Sequence, residues 1–351
     1  MPSAQTRNQS LDVLRCIAVL LVLGFHFPRY FLLARAGWIG VDLFFVLSGF
    51  LISGLLFQEY KATGRISFRR FFIRRGLKIW PPFYTFIAAT AAIFLYSRSP
   101  VPWRAFLVSS LFLQNYLHDS PIIAGGVFVH LWSLAVEEHF YVLLPLLFIV
   151  LLKCNPGPDP FRSLPAIFGS IAGGCLLLRF IALRQAALPW ATHLRADSLF
   201  AGVLVSYLYH FRRNTFEKLA RTRNLAIALV CVLPVTFRNW DSFTIRTFGL
   251  TCLWITFSIL VAWSVERKPR SSLFSPLARI GFYSYSIYLW HIYFVILFEG
   301  LGSSTIAFWL ASATAVAFGT LMYKLVEWPF LILRNRWLPS KVIWQCESQR
   351  D

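Results

Sequence analysis

Four ionisable side chains sit where such groups are costly. Between Ser10 and Ile52 the chain reads SLDVLRCIAVLLVLGFHFPRYFLLARAGWIGVDLFFVLSGFLI, two apolar runs that carry Asp12, Arg15, His26 and Asp42. A charge in hydrocarbon costs at least about 2.5–3.5 kcal/mol, so ionisable groups that persist there face protein, water or a ligand. Arg15 and His26 are about three helical turns apart, which puts both on one helix face, roughly 16 Å from each other along the axis. Either alone has a structural explanation, an arginine snorkelling to the interface or a histidine satisfied by a neighbour. Together on one face they describe a site. Imidazole titrates near neutral pH and can take the proton of an attacking hydroxyl, so His26 is the candidate general base, with Glu137 or Asp42 as the carboxylate that orients its ring. No residue stands out as a covalent nucleophile, which favours direct transfer, although a relay through His26 or a serine stays open.

Other clusters follow along the chain. Residues 130–148, HLWSLAVEEHFYVLLPLLF, open a span with two carboxylates. Glu137 and Glu138 are about 100° apart around the helix, so they cannot both face one partner. Ser133 and Tyr141 share the Glu137 face, while Glu138 and His139 fit a solvated helix start stabilised by its dipole. Ahead of this lies KATGRISFRRFFIRRGLKIWPPF, in which Arg70, Arg74, Arg75 and Lys78 recur at helical spacing. A short interfacial helix with a basic face would hold a polyphosphate through guanidinium forks; the alternative is a topology signal that also binds anionic headgroups. Further on, LRADSLFAGVL carries Arg195 and Asp197, which either close a local ion pair or bind a polar acceptor. His291 in FYSYSIYLWHIYF lies too deep for an interface girdle, and Lys324 and Glu327 in YKLVEWPF are spaced for an internal ion pair. Oxyanion stabilisation has three candidates, His291, Tyr141 and Ser48. The six cysteines show no CxxC and no metal spacing, which implies neither a disulfide framework nor a metal site.

These residues need apolar helices to position them. Of 351 residues, 57% are hydrophobic and 14% charged, and the mean hydropathy is +0.61. Soluble domains carry about 25% charged residues, so a soluble globular class is excluded, and no dyad-patterned strands suggest a barrel. The fold expected is an all-α polytopic membrane protein of about ten transmembrane helices, near 11–27, 38–57, 80–97, 131–152, 164–183, 196–211, 224–237, 247–265, 280–298 and 305–333. The loop 98–130 contains an apolar segment, 104–117, that lies in the interface or forms an extra span. The net charge of +19 falls between spans, which argues against nucleic acid, and most of the 34 lysines and arginines gather on one side. The positive-inside rule makes that side cytoplasmic and places both termini there. Arg15 interrupts the first apolar run and no cleavage site follows, so that run is read as a retained span. One membrane domain, 1–335, would be followed by a short cytoplasmic tail, 336–351.

In this order the motifs resemble the acyltransferase-3 family of integral membrane transferases, which O-acylate carbohydrates of bacterial envelopes and some secreted metabolites. LDVLRCIAVLLVLGFH is similar to the family's LDxLRxxA start, and GVDLFFVLSGFLI to its second-span signature. RRGLKIWP resembles RRxxRIxP, LWSLAVEEHFY resembles WSLxxEEQFY, RADSLFAG resembles RxDxLxxG, and SYSIYLWH and VEWPF resemble the closing motifs. Two positions depart: Lys78 stands where arginine is common, offering a point charge in place of a fork, and His139 replaces glutamine. Many relatives also carry a C-terminal esterase-like domain, and the expectation here is the membrane domain alone.

The resemblance implies a membrane acyltransferase of the bacterial cytoplasmic membrane, embedded among membrane lipids. Its donor would be acyl-CoA, most simply acetyl-CoA, used as a co-substrate with no tightly bound cofactor. The acceptor would be a hydroxyl of an extracytoplasmic carbohydrate or glycolipid. Arg15, Arg70, Arg74, Arg75 and Lys78 would hold the donor, and the pantetheine arm would run up the Arg15–His26 face. Trp132, Arg195, Asp197 and His291 would serve the acceptor. The rival readings are a transporter that uses the buried ionisable groups as a proton relay, and an accessory subunit of the same fold. No pair of inverted halves is visible in the sequence to support a transporter.

Overall fold

A chain this apolar has to satisfy its backbone polar groups internally wherever it meets hydrocarbon, and the α-helix does so within one segment. The computed structural model describes residues 8–26, 36–118, 126–184, 189–236, 242–267, 274–299, 301 and 305–339, and all regular structure among them is helical. The tail beyond 339, with Cys346, lies outside the described residues.

α1 (Gln9–Phe25) starts where the Asn8 side chain accepts a hydrogen bond from Ser10 N and ends at His26. α2 (Ile39–Thr63) follows, stopped by Gly64 in the left-handed conformation at φ 70°. α3 (Phe68–Tyr96) is capped by Ser67 and runs unbroken through Pro81 and Pro82. The basic segment is therefore the first part of a span and not a separate interfacial helix. Hydroxyl groups support the backbone near the prolines: Thr85 donates to the Pro81 carbonyl at 2.8 Å and Tyr285 to that of Ile79 at 2.9 Å. α4 (Trp103–Ser110) has eight residues, about 12 Å, so 104–117 is too short in helix to be an extra span.

α5 (Trp132–Cys154), α6 (Leu164–Arg184) and α7 (Thr192–Phe211) come next, then α8 (Arg213–Leu219) and α9 (Thr222–Thr236), which meet at 51°. A π-helical turn, Ile245–Gly249, leads into α10 (Leu250–Glu266). α11 (Phe274–Phe282) and α12 (Ser284–Glu299) are bent by 76°, so the expected ninth span breaks at Tyr283. α13 (Thr305–Met322) continues through a second π turn, Tyr323–Glu327, into α14 (Trp328–Trp337).

Six of the described helical segments are long and apolar enough to cross a membrane, or eight if each bent pair is one span; ten is the sequence expectation. Two expected spans fall short for different reasons. α1 has only 17 residues, and α7 dilutes its apolar run with Arg195 and Asp197. α7 is instead packed inside the bundle, where it crosses α2 at glycines. A Cβ on Gly49 would lie 1.9 Å from Leu199 O, and one on Gly202 2.1 Å from Val46 O. These two glycines belong to the SGF and FAG motifs, so that part of both signatures specifies a helix crossing. α11 lies across α1 in the same manner, a Cβ on Gly281 falling 1.7 Å from Asp12 O.

Candidate active site

Two cavities lie one after the other along α1. The first is lined by Arg15, Ser48, Arg75, Lys78, Ser133, Glu137, Glu138 and Tyr141 among others. The second is lined by His26, Trp38, His118, His130, Trp132, Trp190 and Arg195 among others. The helical spacing from Arg15 to His26 is thus the distance from one cavity to the other. Val41 and Tyr288 line both.

The first cavity joins cations to carboxylates. The Glu137 carboxylate accepts a 2.6 Å hydrogen bond from Tyr141 OH, which is 2.9 Å from Ser48 Oγ. The Arg75 guanidinium lies over the Tyr141 ring, 5.3 Å from its centroid. Glu138 lines the cavity too, held by the indole N–H of Trp80 at 3.2 Å, while its Oε1 is buried with no hydrogen-bond partner. Both glutamates therefore face one space from different sides, and Glu138 is no solvated helix-start acid. His139 points elsewhere: its Nδ1 is 2.7 Å from Thr192 Oγ1, which also accepts from the Asn115 amide, so this histidine ties α5 to α7.

The basic run divides. Arg75 and Lys78 line the cavity. Arg70 and Arg74 reach the carbonyls of Pro339 and Leu338 at the end of α14, where cations complement orphan carbonyls and the negative end of the helix dipole. Arg70 also borders a separate groove with Arg65 and Arg69.

His26 and His130 line the second cavity, and the His291 ring meets both of theirs. Tyr288 O can only accept, so its partner His291 Nδ1 carries the proton. In the neutral ring His291 Nε2 is then an acceptor, and it lies 3.2 Å from His26 Nδ1. The Val22 carbonyl, 2.9 Å from the same His26 nitrogen, requires a proton there as well. The network thus assigns His26 the Nδ1–H tautomer and leaves the lone pair on Nε2. His130, buried beside them, has its ring centroid 5.0 Å from that of His291 and donates Nε2–H to the Leu289 carbonyl. Sequence reasoning assigned no role to His130, although its place at the head of the HLWSL motif was a signal. Among the described residues no group of three or more His, Cys, Asp or Glu is arranged to hold a metal ion.

His26 takes its orientation from His291 and a backbone carbonyl, and neither expected carboxylate is its recorded partner. Asp42, wholly buried, accepts from Arg195 Nη2 at 2.9 Å and Ser198 Oγ at 3.1 Å. Arg195 and Asp197 do not pair locally either. They are two residues apart on a helix, about 200° around it, and so face different neighbours. Asp197 meets Arg179 at 2.8 Å and the Trp254 indole at 3.1 Å and lines neither cavity, so the structure does not bring it together with Trp132 and Arg195. Arg179 was the missed member, a lone arginine in an apolar helix. Arg195 does line the second cavity, 5.5 Å over the Trp132 ring, with Nε and Nη1 buried and without hydrogen-bond partners. Lys324 is exposed and Glu327 buried on Ser286 at 3.0 Å; the π turn that contains both sends them to different sides.

The sequence profile of the acyltransferase-3 acyltransferase domain matches residues 8–324. The chain belongs to the acyltransferase-3 family. Among its curated relatives in the family is the peptidoglycan O-acetyltransferase OatA of Listeria monocytogenes, 28% identical over 305 residues, covering 80% of this chain and 48% of that protein. A putative O-acetyltransferase of Staphylococcus aureus strain COL is 28% identical over 364 residues, covering 95% and 59%. The O-acetyltransferase OatA of Staphylococcus aureus strain NCTC 8325 is 27% identical over 303 residues, covering 80% and 49%. The chain spans about half the length of the curated relatives it matches. No solved structure matches it.

Proposed function

We propose that this multi-pass protein is an O-acyltransferase that moves an acetyl group from cytoplasmic acetyl-CoA to a hydroxyl of an envelope carbohydrate. The observation that carries this reading is the pair of cavities stacked along α1, one with phosphate-type anchors and the other with a base. The names of the relatives, O-acetyltransferases, fit the same chemistry.

Arg15, Arg75 and Lys78 in the first cavity would hold the donor's phosphates, Arg75 by its fork and Lys78 as a point charge. The thioester is then carried towards His26. In the second cavity the faces of Trp132 and Trp190, with ring centroids 4.8 Å apart, offer flat apolar surfaces to the C–H face of a sugar. The free N–H groups of Arg195 offer donors to its oxygens. The acceptor oxygen attacks the thioester carbonyl carbon while His26 Nε2 takes the hydroxyl proton. The tetrahedral centre collapses, the C–S bond breaks, and the thiolate leaves with the proton that His26 returns. His291 keeps the base in the required tautomer throughout, a part given to a carboxylate in many other sites.

The test is transfer in membrane vesicles supplied with labelled acetyl-CoA and an envelope glycan fraction. Wild-type protein should label glycan, and His26→Ala should lower the rate at least about 10²-fold, the scale of general-base catalysis, with the protein still folded in the membrane. Undiminished turnover by His26→Ala would remove it from the chemistry. Absence of transfer by the wild type, with a glycan flux instead, would favour a transporter.

A further inference from the structure

The two cavities share two residues among those described, Val41 and Tyr288. These two side chains therefore border both the space beside Arg15 and Arg75 and the space beside His26. Tyr288 is 5% exposed and pinned at its tip: its hydroxyl donates to the His130 carbonyl at 2.6 Å and lies 2.7 Å from Ser133 Oγ. The Phe44 ring backs it edge-on at 6.1 Å. Its own carbonyl receives the His291 N–H, so the wall and the residue that orients His26 are built from one turn of α12. Val41, in the first turn of α2 beside Asp42, packs against the apolar cluster that contains Tyr288.

We propose that Val41 and Tyr288 form the partition between a donor chamber and an acceptor chamber, and that the bulk of these two side chains restricts the acyl group delivered to His26 to acetyl size. The size limit rests on the acyl-transfer reading; the partition itself does not. A pinned aromatic ring and a β-branched side chain make a stiff boundary, because the hydroxyl bonds restrain the ring and the valine has one favoured rotamer in a helix. A two-carbon group is short enough to present its carbonyl beyond such a neck while the carrier stays behind. Each further methylene has to fit the neck as well. Site selectivity of one methylene in an apolar pocket amounts to about 10–200-fold.

Two measurements test it, one independent of activity. In a background with the native cysteines replaced, His26→Cys is exposed to a bulky, membrane-impermeant thiol reagent from the Arg75 side of the membrane. With Val41 and Tyr288 intact, labelling should be slow, and adding Val41→Ala should speed it at least about tenfold, on the scale of the methylene selectivity above. Fast labelling with the wall intact, or a rate unmoved by Val41→Ala, overturns the partition.

The second measurement compares acetyl-, propionyl- and butyryl-CoA as donors. Val41→Ala should raise the butyryl-to-acetyl transfer ratio about tenfold or more, and Val41→Leu should lower acetyl transfer. An unchanged ratio in Val41→Ala, with acetyl transfer intact, overturns the size limit. No transfer from any donor by the wild type, with labelling as expected, overturns the transferase reading and the size limit together and upholds the partition.

Discussion

Arg74 and Arg75 are neighbours in sequence with different surroundings. Arg75 lines the first cavity and stacks on Tyr141, while Arg74 bonds a carbonyl beyond α14. Donor binding therefore separates them. Arg75→Ala should raise the KM for acetyl-CoA about 10-fold or more, the size of a lost charge-assisted hydrogen bond, with less effect on the acceptor's KM. Arg74→Ala should leave the donor KM within about twofold and lower thermal stability, since it leaves helix-end carbonyls without a partner. Steady-state kinetics with each substrate varied in turn decides the matter; an equal effect of both substitutions on donor KM would return Arg74 to the donor site. The same one-residue divergence separates Glu138 from His139, and it explains why a histidine is accommodated where the motif has glutamine: it hydrogen-bonds Thr192 and not the cavity.

At the scale of helices, the crossing of α2 and α7 holds Asp42 and Arg195 together, and it depends on Gly49 and Gly202. A methyl group at Gly202 would enter the space of Val46 O and Phe50 N, main-chain atoms that cannot turn aside. Gly202→Ala should destabilise the protein by about 1–3 kcal/mol, the cost of overpacking, and reduce transfer through the displaced Arg195. Gly173→Ala, in α6 with nothing within 4 Å of the added carbon, should stabilise by up to about 1 kcal/mol through helix propensity. Thermal unfolding of the purified protein in detergent checks both; equal effects would mean that the crossing is not the reason for Gly202. Helix ends were harder to read than helix identity. Pro81 and Pro82 made one helix look like two, since the hydroxyl groups that support the backbone there include one from Tyr285, distant in sequence.

For the molecule as a whole, the orientation expected from the basic loops remains a prediction. A cysteine at Ser99 should react with an impermeant reagent from outside intact cells, and one at Gly157 only after the cytoplasmic face is opened; the reverse pattern would exchange the sides of donor and acceptor. Membrane class, helical fold and most spans followed from hydropathy, which is a local property of the chain. The clusters of His26, Arg75, Glu137 and Arg195 were also legible, because a polar group in an apolar run marks itself. What each group touches was not. Asp42 pairs with Arg195, 153 residues away, and His26 meets His291 at a separation of 265. The sequence by itself determined which side chains had to be removed from lipid. Only the tertiary structure decided their partners, since a buried charge or ring nitrogen takes whichever complementary group the helix crossings bring within about 3 Å, and those crossings are set by packing between distant segments.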